Sequence, residues 1–185
     1  MSLKEEDGVF KMRGRIFLKR GLCSLIEMLP PLVIMAEIGC YQGESTEIFC
    51  SSSKITKLHA IDPWTNGFDD TDYISLKSVC DMEKVESRFD YRMNKFFDNK
   101  CVKMKLTSEQ ACKHFEDHVL DFVYIDANHQ YDEVCNDIER WLPKIKKDGF
   151  VGGHDVGLDG VSRAIIRFFG KYDNVFRDGS WIVKI

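Results

Sequence analysis

Asp121-Phe122-Val123-Tyr124-Ile125-Asp126-Ala127-Asn128-His129-Gln130-Tyr131 is the stretch whose reading decides the fold. After Asp121 the next four residues are aromatic or β-branched, which marks a buried strand. Tyr131, Val134, Cys135, Ile138, Trp141 and Leu142 then fall at i, i+3, i+4, i+7, i+10 and i+11. That spacing is one face of an amphipathic helix, and Pro143 closes it. The turn Lys147-Asp148-Gly149 leads into Phe150 and Val151, a second short apolar run. Strand, three-turn helix and strand together make the unit that joins two parallel strands by a crossover.

The same alternation extends in both directions. Upstream, Leu18, Leu22, Leu25, Ile26 and Leu29 recur at helical spacing until Pro30-Pro31. Residues 32–38, 57–61 and 102–106 read as strands, and residues 44–50 and 109–115 as short helices. A longer helix turns Met82, Val85, Phe89, Met93 and Phe96 inward. Downstream, Val161, Ala164, Ile165, Phe168 and Phe169 mark a last helix. Residues 174–176 and 181–185 flank Arg177-Asp178-Gly179-Ser180, and Asp-Gly is a hairpin signal. The expected fold class is therefore α/β: a Rossmann-like, doubly wound, mostly parallel seven-stranded sheet. It ends in an antiparallel hairpin and carries helices on both faces. A helical segment over residues 1–30 precedes a sheet domain over 31–185, in one domain overall.

Composition narrows the class without naming a function. The 185 residues carry 26 Lys and Arg against 30 Asp and Glu, a net charge of −4. That balance gives no whole-molecule attraction to nucleic acid or to an anionic membrane. The seven cysteines include no Cys-x-x-Cys pair, so a disulfide framework or a thiolate zinc site is not expected. A reducing cytoplasmic setting follows. No apolar run approaches the roughly 18 residues of a membrane span. The basic cluster Lys11, Arg13, Arg15, Lys19 and Arg20 reads as the outer face of a helix. Residues 63–78 are polar and turn-rich, with Asp69-Asp70-Thr71-Asp72 at their centre. They form a solvated loop, placed to close over a ligand.

In sheets of this kind ligands bind beyond the carboxyl ends of the strands, where strand order reverses. The first such loop is Glu37-Ile38-Gly39-Cys40-Tyr41-Gln42-Gly43. It is neither the Gly-x-Gly-x-x-Gly of dinucleotide enzymes nor a phosphate loop. Glycine there lets backbone approach a ligand closely. A carboxylate at Glu37 suits a ligand with an ammonium group, and Asp62, 23 positions after Gly39, can take ribose hydroxyls. This combination resembles the class I S-adenosylmethionine-dependent methyltransferases, over roughly residues 31–185. The resemblance implies that Glu37, Gly39, Tyr41 and Gly43 hold the methionine part of the cofactor and Asp62 its ribose. It further implies Pro63 and Trp64 beside the cofactor, and Thr107 and Ser108, the latter a candidate helix N-cap, near the adenine; Trp64 reads equally as facing the acceptor or as packing in the core or a lid.

Tyr124-Ile125-Asp126-Ala127-Asn128-His129-Gln130-Tyr131 and Gly149-Phe150-Val151-Gly152-Gly153-His154-Asp155 resemble a branch of that family related to sugar and small-molecule O-methyltransferases. That branch shares an Ile-Asp-Gly-x-His-x-Tyr signature, with Ala127 here in place of the glycine. Asp126 and Asp155 end adjacent strands and face one crevice. With His154 they offer oxygen and imidazole donors to Mg or Mn, or they cap the following turns. His129, with Asp126, is the candidate catalytic pair, since a neutral imidazole can remove a proton from a hydroxyl. His59 reads as a core residue, His114 and His118 as surface ones. The expected function is transfer of a methyl group to a small-molecule or sugar oxygen, metal-assisted or not, with a homo-oligomer as an option. Two other readings stand beside it. One is a catalytically silent binding subunit; the other is a metal-dependent hydrolase or hydroxylase-like protein using Asp126, His129 and Asp155.

Overall fold

The computed structural model describes residues 4–6, 9–11, 15–66, 81–97 and 99–185, with side chains from residue 19 onward. The acidic stretch 69–72 and Arg13 lie outside the described residues, as do the side chains of Lys11 and Arg15. A two-stranded antiparallel ribbon, β1 (Lys4–Glu6) and β2 (Val9–Lys11), precedes helix α1 (Arg15–Met28). The N-terminal segment thus holds strands as well as the expected helix. Three-residue strands carry too little periodicity to announce themselves.

The main sheet is built from β3 (Val33–Ile38), β4 (Ile55–Ile61), β5 (Cys101–Met104), β6 (Leu120–Ile125), β7 (Ile145–Gly153), β8 (Asn174–Val175) and β9 (Trp181–Lys184). Between them lie α2 (Glu44–Ser51), α3 (Met82–Phe97), α4 (Ser108–Cys112), α5 (Tyr131–Trp141) and α6 (Asp159–Phe169). Strand order is β5-β4-β3-β6-β7-β9-β8; the first five are parallel and β9 runs antiparallel to both its neighbours. The doubly wound sheet with its terminal hairpin is as the alternation foretold. β7 is longer than the apolar run suggested. The Asp148-Gly149 turn is absorbed as a bulge, with Asp148 at φ 64° and a register shift in its pairing with β6.

Side chains of a strand alternate between faces, so one parity fills each layer. Val33, Met35, Leu58, Phe122 and Tyr124 pack with α1, α2 and α3. Ala36, Ile38, Val123, Ile125 and Val151 pack with α4, α5 and α6. The same parity sends Glu37 to the α1–α3 side, a placement that matters below. Strand order reverses between β3, which leads to β4 on one side, and β6 on the other.

At that reversal the two strand ends nearly touch. Asp126 N–H donates to the Ile38 carbonyl at 2.8 Å, and Gly39 sits at φ 86°. A Cβ on Gly39 would lie 2.1 Å from the Asp126 carbonyl oxygen. Glycine is required here by the adjacent strand end and by its positive φ, before any ligand arrives. Gly39→Ala is accordingly expected to cost about 2 kcal/mol or more, from left-handed backbone plus a backbone clash. Thermal unfolding should show a midpoint lower by roughly 4 °C or more. A midpoint equal to that of the parent chain would mean the junction relaxes freely.

Candidate functional site

A cleft of about 430 Å³ opens over the carboxyl ends of β5, β4, β3, β6 and β7. Its lining follows strand order. Leu106, Thr107 and Ser108 come after β5, Asp62 and Pro63 after β4, Gly39 to Gln42 after β3, Asp126 to His129 after β6, and His154 and Asp155 after β7. Ten of the sequence-derived candidates meet there: Gly39, Tyr41, Asp62, Pro63, Thr107, Ser108, Asp126, His129, His154 and Asp155. Glu37, Gly43 and Trp64 do not line it.

Each of those three has a physical reason. Glu37 is fully buried on the α1–α3 side, where the Ser45 hydroxyl donates to its Oε1 and its Oε2 lacks a hydrogen-bond partner. Ser45 lines the cleft and stands between the two. Gly43 is the N-cap of α2 at φ 79°, and a Cβ there would lie 2.9 Å from the Phe89 ring. Trp64 is buried against Phe89, ring centroids 4.7 Å apart, with Lys103 Nζ 4.8 Å from its own ring centroid. Its indole N–H donates to the Tyr41 carbonyl at 2.7 Å, so it braces the loop from behind.

Asp62 organises that loop. Its Oδ2 accepts from Cys40 N–H at 3.0 Å and Tyr41 N–H at 2.9 Å, and its Oδ1 from Trp64 N–H at 2.7 Å. Burial nevertheless raises its pKa above the ordinary carboxylate value against those three bonds. With three amides already accepted, little more than one lone pair of Oδ1 remains for a ligand hydroxyl. Arg92 on α3 adds a further brace, donating from Nε to the Gln42 carbonyl at 2.9 Å and from Nη1 to Glu47 at 2.8 Å.

At the β5 end the N-cap of α4 is Thr107, in a reciprocal capping box with Gln110, rather than Ser108. The Ser108 hydroxyl is instead committed to Asp137, donating to its Oδ1 at 2.5 Å while accepting from the Trp141 indole at 2.9 Å. Asp137, Arg140 and Glu133 of α5 and Ser45 of α2 line the cleft without having been singled out from sequence. An acid in the apolar row Val134-Asp137-Trp141 was the available signal.

At the other end lies a charge cluster. His129 Nε2 is 3.0 Å from Asp155 Oδ2 and 3.8 Å from Asp126 Oδ1, and His154 Nδ1 is 3.2 Å from Asp155 Oδ2. Burial disfavours the imidazolium forms, but the two carboxylates overcome it and push His129 up to about 10 and His154 up to about 9. Burial would raise Asp155, and the two imidazoles instead hold it well below the usual range. Asp126, His154 and Asp155 each offer one donor atom, all within 4.8 Å of one another. His59 is half-buried against Phe115, and His114 and His118 are exposed.

The profile of a methyltransferase domain family matches residues 36–156. An uncharacterized protein, y4gI, of Sinorhizobium fredii is 27% identical over 139 residues, covering 71% of this chain and 14% of that protein. The chain thus spans about one seventh of that relative. A precorrin 8w decarboxylase of Methanobacterium thermoautotrophicum superposes with TM-score 0.61 at 14% identity, covering 99% of this chain and 91% of that one. The O-methyltransferase NovP does so with TM-score 0.57 at 11% identity, covering 92% of this chain and 78% of that one. At these identities the structures share the fold.

Glu37 supplies the site's pH prediction. Burial pushes its carboxyl up to about 8, from an ordinary value of 4.5. The folded chain therefore keeps a proton that the unfolded chain releases near 4.5, and stability falls as pH rises from there to about 8. Glu37→Gln removes the titration. Its thermal midpoint relative to the parent chain should climb by roughly 3 °C or more between about pH 5 and about pH 8.5. A constant difference across that range would show that Glu37 does not titrate there.

Proposed function

Since the chain belongs to the methyltransferase domain family, we propose that it methylates an oxygen of a small-molecule or sugar acceptor with S-adenosylmethionine as donor. The observation that carries this reading is the arrangement of one cleft. The Asp62-braced glycine loop occupies its middle, and a carboxylate–imidazole cluster occupies its β6–β7 end. The cleft volume of about 430 Å³ suits a small-molecule ligand. Asp62 and Asp126 place carboxyl groups along it, as suits a cationic donor.

When bound, S-adenosylmethionine supplies an electrophilic methyl group on a sulfonium. The chain's task is then alignment and proton removal. Cys40 to Gln42, fixed by Asp62, Trp64 and Arg92, form a rigid floor for the donor. Asp126 orients the acceptor hydroxyl, and the His129–Asp155 pair takes its proton as the oxygen is methylated. Asp155 holds the imidazole at Nε2, which leaves Nδ1 for the acceptor, and it stabilises the imidazolium that forms. The carboxylates by themselves push His129 up to about 10, so the ring must first give up that proton before Nδ1 can take one from the acceptor. The positive charge of the donor opposes retention of that proton.

A second reading rests on the three converging donors. Asp126, His154 and Asp155 fit a hard divalent ion of the Mg or Mn type, which would polarise the acceptor oxygen. Asp155 Oδ2 already lies within bonding reach of both imidazoles, so an ion would compete with them.

Titration calorimetry should show S-adenosylmethionine binding, and absence of binding at millimolar donor would leave a silent binding subunit instead. His129→Gln is expected to lower kcat by about 10²–10⁴-fold, with the donor's KM nearly unchanged. Methyl transfer should persist in excess EDTA. Loss in EDTA with rescue by Mn would assign Asp126, His154 and Asp155 to a metal instead.

A further inference from the structure

Tyr131 closes the stretch that carries the candidate base, yet it does not line the cleft. It is the first residue of α5, two positions after His129, and is half-buried. The Arg163 guanidinium of α6 stands 4.5 Å from its ring centroid, and Arg167 Nη1 donates to its hydroxyl at 3.3 Å. Arg163 also donates to Asp159, one turn earlier in α6, at 3.2 Å, which holds the guanidinium along the helix and over the ring. A planar guanidinium on an aromatic face is an attractive pair even where both are partly in water.

What this stack fastens is the backbone around His129. Gly160, in the first turn of α6, lies so close that a Cβ there would stand 2.3 Å from the His129 carbonyl oxygen and 2.8 Å from the Tyr131 nitrogen. The helix can come this near because position 160 has no side chain. The same segment of chain reaches the imidazole from the other direction, for Asp155 Oδ2 is 3.0 Å from His129 Nε2. Residues 155–160, which lead from β7 into α6, therefore grip His129 at its ring and at its backbone. Within them Leu158 N–H donates to the Asp155 carbonyl at 2.9 Å, so a turn joins the two grips. The approach of ring to carboxylate then depends on how α6 seats on α5, and Tyr131 is where α6 holds α5 nearest to His129.

We propose that Tyr131 is a positioning residue: its ring, stacked with Arg163, seats α6 on the loop and thereby fixes the His129 imidazole beside Asp155. The inference rests on the role given to His129 above. A general base must stand within hydrogen-bond reach of the proton it takes, so a loose seat costs proton transfer rather than donor binding.

The test compares Tyr131→Phe, Tyr131→Leu and Arg163→Met with the parent chain. One readout is the NMR signal of each histidine Cε1–H group at a single pH, with His129→Gln assigning the signal of His129. The other is amide exchange at Gln130 and Val134, whose N–H groups are bonded to Asn128 Oδ1 and to the Gln130 carbonyl. Tyr131→Phe keeps the stack and should keep the parent values. Tyr131→Leu keeps apolar bulk but loses the aromatic face, and Arg163→Met keeps the chain length but loses the cation. In both, the His129 signal should move toward that of the exposed His114. Exchange at the two amides should quicken by about 2–5-fold, the worth of one exposed stack. The half-buried His59 signal should stay in place and reports an intact sheet. Arg163 is exposed, so Arg163→Met can be read where Tyr131→Leu does not fold. An unmoved His129 signal in folded Arg163→Met overturns the inference, and so does a Tyr131→Phe chain that has lost the parent values. No donor or acceptor enters these measurements, so a parent chain without methyl transfer would overturn the role of His129 as base and leave its positioning standing.

Discussion

The carboxylate of Asp62 accepts three backbone N–H groups, and the shape of the site depends on that. A loop that reverses direction between a strand and a helix leaves amides without partners, and buried amides must find them. Cys40 and Tyr41 find theirs in a side chain delivered by the neighbouring strand β4. Charge-assisted bonds of this kind are short and strong. They offset the left-handed conformations of Tyr41 at φ 47° and Trp64 at φ 44°, which non-glycine residues adopt at a cost of about 1–2 kcal/mol each. The Trp64 indole and the Arg92 guanidinium then take the carbonyls of Tyr41 and Gln42. Consecutive peptide groups of the loop are thereby held from outside it, and the loop stays in place without a ligand.

This bracing has an electrostatic consequence. Glu37, Asp62 and Asp137 are three carboxyl groups buried around or beneath one cleft, and burial raises all three. Few cations face them there: among the described side chains, Arg140 is the Lys or Arg residue that lines the cleft. Burial thus keeps Glu37 protonated near neutral pH, and a cationic ligand in the cleft would favour the ionised forms of Asp62 and Asp137. The histidine cluster answers the same problem at the other end. Two imidazoles beside Asp126 and Asp155 supply positive charge where, among the described residues, no Lys or Arg lines that end of the cleft.

Much of this was legible in sequence, for reasons that differ by residue. The crossover around residues 121–151 was readable because a run of apolar residues and a helical repeat are local signals. Asp62, Asp126 and Asp155 were readable because strand ends in doubly wound sheets point at the ligand crevice. Glu37 was misplaced: one residue before the end of β3, its parity turns it into the α1–α3 layer, and Ser45 covers it. Trp64 was ambiguous, because a tryptophan after a proline serves a cleft wall or a core equally well. Its φ of 44° and its bond to Tyr41 arise from tertiary contacts. Asp137 was missed because its environment comes from α4, some 29 residues away in the chain.

His154 is where sequence and geometry together alter the chemistry. An acid there would give three carboxylates around one point, and such a cluster needs a cation to be stable when buried. With histidine, Asp155 receives an imidazole from each side, at 3.0 Å from His129 and 3.2 Å from His154. The cluster is then close to neutral with both rings protonated, and it can exist without a metal ion. The pair of rings also stores protons, because either can release one into a setting that still holds one cation. With both rings protonated neither can accept a proton, so a cationic ligand beside the cluster would favour the form in which one ring is neutral.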